Sequence, residues 1–144
     1  MKQAAQQVSP DVVELRIPCR AEWVALARLA AAAVANRLRL SIEDIEDIKL
    51  AVAEACTAVI QNPHHGEFVE VRCEALPGTL ELRVRDSGRQ SAAAQPLRAL
   101  DFDEARVAGL GVFLIRTLMD EVSYDVHPEA GVDLKMVKRL NSQS

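Results

Sequence analysis

A single carboxylate on a predicted helix is the first candidate for chemistry. Asp44 follows Ser41 at the spacing of a helix N-cap, and Pro63 stops the helix at about Asn62. One stripe of this helix consists of Asp47, Ala51, Glu54, Ala58 and Asn62, and in it two alanines flank the carboxylate of Glu54. The alanines leave room for another group to approach Glu54. The alternative interpretation is that the stripe simply faces solvent.

A second candidate is the acid at the end of a predicted strand. Asp86 continues the alternation of the apolar residues before it: Leu80, Leu82 and Val84. Its carboxylate is therefore expected on the buried side of the strand. A buried carboxylate needs a donor, which could be an arginine, a backbone N–H or a ligand amine such as that of adenine. Gly88 would let a ligand approach the chain, although many ordinary turns share this Asp-x-Gly pattern.

The third candidate is a pair of glycines after an irregular stretch, residues 89–108. Gly109, Leu110 and Gly111 are predicted to open a helix that runs from Leu110 to about Glu121. Free N–H groups and the helix dipole at such a start favour an anion, for example a phosphate. A flexible helix start is the alternative.

Metal and disulfide chemistry fit the sequence poorly. The three cysteines are Cys19, Cys56 and Cys73, and the three histidines are His64, His65 and His127. The cysteines are odd in number and lie in apolar stretches, which predicts reduced, buried thiols. No cysteine or carboxylate stands at ligand spacing from the histidines, so exposed turn histidines are expected and no metal site is predicted.

Composition narrows the class of protein. The 144 residues are 49% hydrophobic and carry 17 basic and 21 acidic side chains, a net charge of −4 without a basic run. This argues against direct nucleic-acid binding. The polar residues 1–10, expected to be flexible, lack the apolar segment of a signal peptide, and no stretch reaches the roughly 20 apolar residues of a membrane span. A cytoplasmic protein without membrane contact is expected.

The order of elements predicts the fold class. Strands are expected at residues 13–17, 69–75, 80–84, 122–126 and 132–136, and helices at residues 20–38, 41–62 and 110–121. Paired strands with inserted helices indicate an α+β two-layer sandwich, with helices on one face of a mixed or antiparallel sheet. One domain over residues 1–144 accounts for the whole chain.

Three segments together resemble a known family. Residues 45–57, IEDIKLAVAEACT, resemble the N-box of bacterial anti-sigma factor serine kinases of the RsbW type, members of the histidine kinase-like (GHKL) ATPases. Residues 109–122, GLGVFLIRTLMDEV, resemble the second glycine box of that family, and residues 86–88 its first. The similarity spans nearly the whole chain.

The resemblance implies the Bergerat ATP-binding fold, with residues 89–108 as the ATP lid. It implies Glu54 as the catalytic base toward a serine hydroxyl. The residues it implies for ATP binding are Asp86 at the adenine, Gly88 in the pocket wall, and Gly109, Leu110 and Gly111 at the phosphates. The partners it implies are a sigma factor, an anti-anti-sigma antagonist that is phosphorylated on serine, and a second copy in a homodimer.

One position departs from the family pattern. Ala58 stands where the family has an asparagine whose amide oxygen helps to hold Mg²⁺, and alanine cannot ligate a metal. Asn62, a further candidate at the ATP site, lies about 6 Å along the helix, too far to substitute. A non-catalytic module that binds a sigma factor or antagonist is therefore the alternative function, and a kinase acting in another signalling complex is a third.

Overall fold

A computed structural model describes residues 11–87, 102–127 and 131–140, with side chains except over residues 102–109. The strands are β1 Asp11–Pro18, β2 Phe68–Leu76, β3 Thr79–Ser87, β4 Glu121–His127 and β5 Gly131–Arg139. The helices are α1 Val24–Ala35, preceded by a 3-10 turn Ala21–Trp23, then α2 Ile42–Gln61 and α3 Phe102–Leu118. No helix within the described ranges is long and apolar enough to cross a membrane.

The five strands form one sheet in the order β1-β2-β3-β5-β4, and every neighbouring pair is antiparallel. Gly78 joins β2 to β3 with a φ of 70°, and Gly131 begins β5 with a φ of 80°. Both values lie in the left-handed region that glycine adopts without steric cost. The predicted hairpins and the antiparallel form of the α+β sandwich are confirmed.

The core lies between the sheet and the three helices. Alternate residues of the central strands are fully buried: Val69, Val71, Cys73, Leu80, Leu82, Val84, Leu134 and Met136. From the helix layer, Ala27, Ala31 and Ala35 of α1 are fully buried and let that helix pack closely. The cysteines are free and buried, as predicted. Burial raises the pKa of Cys56 to about 12, so the thiol stays protonated at neutral pH.

The helix that carries the candidate base begins as the sequence predicts. The Ser41 hydroxyl accepts a hydrogen bond from the Asp44 N–H at 3.0 Å, which satisfies one donor of the first turn. The helix then runs to Gln61, one residue before the predicted limit.

The predicted start of α3 is wrong. The helix begins at Phe102 and not at Leu110, because residues 102–108, FDEARVA, include several good helix formers that continue directly into the glycine segment. The predicted lid over residues 89–108 is therefore helical over residues 102–108. Its remaining part lies outside the described residues, as do residues 1–10.

Candidate functional site

The stripe of small residues on α2 faces the protein interior. Ala51 is fully buried and Ala58 is 9% exposed, whereas Glu54 between them is half-buried. α3 packs along α2. The alternative that the stripe simply faces solvent is therefore wrong for the two alanines. Glu54 is the acidic residue that lies between them.

The carboxylate of Glu54 lies against a glycine of α3. A Cβ atom built on Gly111 would be 3.3 Å from Oε1 of Glu54, tighter than most real contacts of a Cβ atom. Glycine at this position therefore lets the carboxylate come close to the α3 backbone. This contact brings together the candidate base and one of the predicted phosphate-binding residues.

The carboxylate of Glu54 is not paired with a cation, unlike those of Asp44, Glu46 and Asp47 on the same helix. Lys138 lies 3.7 Å from the carboxylates of both Asp44 and Asp47, and Lys49 lies 3.1 Å from that of Glu46. Within the described part of the chain, the Glu54 carboxylate has neither an ion pair nor a hydrogen bond. A carboxylate that is not neutralised by a cation keeps its capacity to accept a proton.

Asp86 occupies the buried position that the strand alternation predicts. It is 7% exposed, and its Oδ1 accepts a hydrogen bond from the Gly66 N–H at 2.8 Å. Of the donors that the sequence left open, a backbone N–H therefore serves this oxygen. The charge of Asp86 also acts on Cys19: burial, and secondarily this carboxylate, raise the pKa of the thiol to about 11.

Asn62 ends α2 and shapes the turn that leads toward Asp86. Its Oδ1 accepts a hydrogen bond from the His64 N–H at 2.9 Å, a side-chain bond typical of turns. The amide oxygen that was considered for the ATP site is thus engaged locally. The same turn carries Gly66, so α2 and the end of β3 are linked through it.

The glycine pair does not open a helix in this structure. Gly109, Leu110 and Gly111 lie in the middle of α3, where a backbone N–H bonds to the carbonyl four residues earlier. The four N–H groups without such partners belong to the first turn, which begins at Phe102. The expectation of free amides at 109–111 is therefore wrong for this conformation. Gly88 lies outside the described residues.

Sequence reasoning missed Gly66 and Lys138. Gly66 supplies a backbone donor, which residue type does not reveal. Lys138 shares the inward phase of Leu134 and Met136 on β5, and its side chain is 12% exposed. Its ammonium group also donates to the Leu118 carbonyl at 2.7 Å, so it joins β5 to both α2 and α3. A lysine in an inward phase signals such partners, because a buried charge requires them.

Comparisons with known proteins agree with this arrangement. The family model of the histidine kinase-like ATPase domain matches residues 17–138. The serine-protein kinase RsbW of Bacillus velezensis is 37% identical over 94% of this chain and 89% of its own length. The proteins of the same name from Bacillus subtilis and Listeria monocytogenes are 35% and 36% identical over 92% of this chain, and the matches cover 88% and 90% of their lengths.

A solved structure shares the fold. The crystal structure of the RsbU and RsbW domains of Rv1364c from Mycobacterium tuberculosis superimposes with a TM-score of 0.66 over 90% of this chain, at 15% identity. This chain spans 32% of that longer protein.

Proposed function

Since this chain belongs to the RsbW serine-protein kinases of the histidine kinase-like ATPase family, we propose that it transfers a phosphoryl group from ATP to a serine of an antagonist protein, with Glu54 as the base. The observation that carries this proposal is the half-buried Glu54 carboxylate, which has no partner among the described residues and lies beside Gly111.

The proposed step at Glu54 is a proton transfer. A serine hydroxyl is a poor nucleophile at neutral pH, and a positioned carboxylate removes its proton as the oxygen attacks. Such assistance commonly contributes about 10²- to 10⁴-fold in rate. Oε1 and Oε2 of Glu54 are suited to this task because no lysine or arginine of the described residues pairs with them, unlike the carboxylates of Asp44 and Asp47.

The chain offers an acceptor for an adenine amino group. The Asp86 carboxylate is buried at the end of β3, and Oδ1 is fixed by the Gly66 N–H. ATP supplies the phosphoryl group. Asp86 would hold the base, while the backbone of Gly109, Leu110 and Gly111 would meet the phosphates once those amides are free of the helix.

The residues present do not fit a protein-held Mg²⁺ site. Position 58 carries only a methyl group, and Asn62 uses its amide oxygen within the turn after α2. The described residues contain no group of three or more histidine, cysteine or acidic side chains arranged to hold a metal. An ion that enters with ATP would rely on phosphate oxygens and water.

Membership of this family also supports binding to partner proteins. We expect the chain to bind a sigma factor, to bind the anti-anti-sigma antagonist that it phosphorylates, and to work as a homodimer. The non-catalytic module remains the alternative that Ala58 raises, because binding of partners does not need a metal ligand.

Phosphate transfer from labelled ATP to the cognate antagonist tests the proposal. The wild-type chain should label the antagonist on serine, and Glu54→Gln should lower kcat about 10²- to 10⁴-fold while ATP still binds. Glu46→Gln is the matched control, because Glu46 lies on the same helix but pairs with Lys49. Absence of transfer by the wild type, with both partners still bound, would favour the non-catalytic module.

A further inference from the structure

The side chain of Asn62 organises the turn between α2 and β2. Asn62 is the C-cap of α2, and the helix cannot continue through Pro63. Oδ1 of Asn62 accepts a hydrogen bond from the His64 N–H at 2.9 Å, and the backbone carbonyl of Asn62 accepts one from the His65 N–H at 3.0 Å. The first two N–H groups after the proline are therefore both bound by Asn62, which sets the direction in which the chain leaves the helix.

The other end of the turn is bound to the sheet at two points. The Gly66 N–H donates to Oδ1 of Asp86 at 2.8 Å, at the end of β3. The carbonyl of the next residue, Glu67, accepts a hydrogen bond from the Cys19 N–H at 2.9 Å, directly beyond the end of the ladder between β1 and β2. The turn is thus held at α2 by Asn62 and at the sheet by the backbone of Gly66 and Glu67.

The turn is too short to absorb a change at its start. Three residues, 63–65, separate Asn62 from Gly66, and successive Cα atoms are a fixed distance of about 3.8 Å apart. Pro63 restricts the backbone of residue 62 to the extended conformation that it adopts, with a φ of −67° and a ψ of 122°. The path after the proline depends on the bond from the His64 N–H to the Asn62 side chain. Loss of that bond should therefore shift the position of the Gly66 N–H.

The Gly66 N–H in turn orients the carboxylate of Asp86. This side chain is buried, so its oxygens need donors from the protein. A hydrogen bond to an ionised carboxylate is roughly twice as strong as one between neutral groups. Because the carboxylate is planar, a bond that fixes Oδ1 also fixes the direction of Oδ2. A shift of Gly66 would therefore rotate the group that is proposed to accept the adenine amino group.

We propose that Asn62 is a positioning residue for adenine recognition, which places the Gly66 N–H that orients the Asp86 carboxylate. In this role Asn62 acts through Asp86 and makes no contact with the nucleotide. Asparagine suits the position because its short side chain carries an oxygen that reaches the backbone N–H two residues further on. The inference rests on the proposed function, in which Asp86 holds the adenine.

The choice between ATP and GTP measures the orientation of Asp86. Adenine carries an amino group where guanine carries a carbonyl oxygen. A correctly oriented carboxylate accepts a hydrogen bond from the amino group of adenine and repels the carbonyl oxygen of guanine. A carboxylate that has rotated away loses both effects, so the selectivity for ATP over GTP falls together with the affinity for ATP.

Substitutions at Asn62 in the full chain test this role by calorimetry and kinetics. Asn62→Ala should raise the dissociation constant and the KM for ATP about tenfold, lower the selectivity over GTP by a similar factor, and leave kcat within about twofold. Asn62→Asp keeps the acceptor oxygen and should stay within about threefold of the wild-type affinity for ATP, although a negative charge at a helix C-terminus lowers stability. Asn62→Ser, whose hydroxyl accepts more weakly, should lie between the two and replaces Asn62→Ala if that variant does not fold.

Ser41→Ala is the matched control for stability. It removes a side-chain hydrogen bond at the opposite end of α2, where the Ser41 hydroxyl accepts from the Asp44 N–H. Both Ser41→Ala and Asn62→Ala should lower the melting temperature by about 3–6 °C. Only Asn62→Ala should change the affinity for ATP.

The NMR signal of the Gly66 amide proton gives a readout that needs neither ATP nor catalysis. A hydrogen bond to an ionised carboxylate moves an amide proton downfield. The Gly66 signal should therefore move upfield in Asn62→Ala, in the direction that Asp86→Asn produces, and should return in Asn62→Asp. A Gly66 signal that does not move in Asn62→Ala would overturn the inference, and so would a moved signal with unchanged affinity for ATP.

The same variants separate this inference from the proposed function. If Asn62→Ala is neutral while Asp86→Asn still weakens ATP binding, the proposed adenine site stands without this role for Asn62. A wild type that binds no ATP would overturn both.

Discussion

The Glu54 carboxylate lies so close to Gly111 that a Cβ atom at position 111 would be 3.3 Å from Oε1. Gly111→Ala should therefore displace the carboxylate by a few tenths of an ångström. Gly111 lies inside α3, where alanine is the better helix former, so the substitution should also stabilise the protein by about 0.5–1 kcal/mol. The Glu54 side chain can move aside because its carboxylate is the end of a flexible chain. We expect a higher melting temperature together with a lower kcat for phosphate transfer.

Gly78→Ala is the control, because it should lower stability without changing kcat. Gly78 lies in the hairpin between β2 and β3, with a φ of 70° and open space around its Cβ position. Alanine there should cost about 1–2 kcal/mol of stability and leave kcat unchanged. A Gly111→Ala variant with unaltered transfer would show that the position of Glu54 beside α3 does not matter for the reaction.

Local patterns in the sequence were sufficient for most elements. The Ser41 cap, the alternation in the strands and the inward phase of Asp86 all depend on residues near one another, so composition and spacing reveal them. The start of α3 is an exception, because a pair of glycines is typical of a helix start, whereas the helix formers at residues 102–108 begin this helix before the glycines.

Contacts between distant segments could not be predicted from the sequence. The bond between Gly66 and Asp86 spans 20 residues, and the approach of Gly111 to Glu54 depends on how two helices pack. The need of Asp86 for a donor was foreseeable from its burial, whereas the identity of the donor depends on the turn after α2. The site residues were thus predictable as candidates but not their partners.

Asp86→Asn should remove the charge of this side chain but keep its hydrogen bond with the Gly66 N–H. Asparagine keeps an oxygen for the Gly66 N–H, so the fold should be retained. Its NH₂ group, however, would oppose the amino group of adenine, and ATP affinity should fall about tenfold or more. Isothermal titration calorimetry measures this loss, and Asp133→Asn on the outer face of the sheet is the control that should leave ATP affinity unchanged.

Asp86→Asn should also change the pKa of the Cys19 thiol. Burial is the main reason for the raised pKa of Cys19, but the negative charge of Asp86 raises it further. Removing that charge should therefore lower the pKa of Cys19 from about 11, which thiol alkylation as a function of pH would detect. An unchanged ATP affinity in Asp86→Asn would contradict its proposed role at the adenine.

Ala58→Asn should introduce the metal ligand that the chain lacks. The new amide would project from α2 one turn beyond Glu54, and Mg²⁺ should then increase ATP affinity and transfer more strongly than in the wild type. Because position 58 is 9% exposed, the polar side chain should also lower stability, by about 1–3 kcal/mol. Ala53→Asn, on another face of α2, is the control; equal Mg²⁺ dependence in both variants would refute a metal role for position 58.

Lys138→Met should loosen the junction between β5, α2 and α3. The ammonium group lies 3.7 Å from the Asp44 and Asp47 carboxylates and donates to the Leu118 carbonyl, while its side chain is only 12% exposed. Its loss should cost about 1–3 kcal/mol of unfolding free energy, measured by urea denaturation. Lys135→Met, an exposed lysine 4.0 Å from Glu81, should change stability by less than about 0.5 kcal/mol.

ATP binding should open the first two turns of α3. The amides of Gly109, Leu110 and Gly111 bond within the helix, so they can meet phosphates only if the preceding turns release them. Lys138 holds the other end of α3 at Leu118, which should therefore stay helical. Hydrogen exchange should become faster at residues 102–108 on addition of ATP and remain unchanged at residues 113–118. Unchanged exchange along the whole helix would place the phosphates elsewhere, most simply at the free amides of the first turn after Phe102.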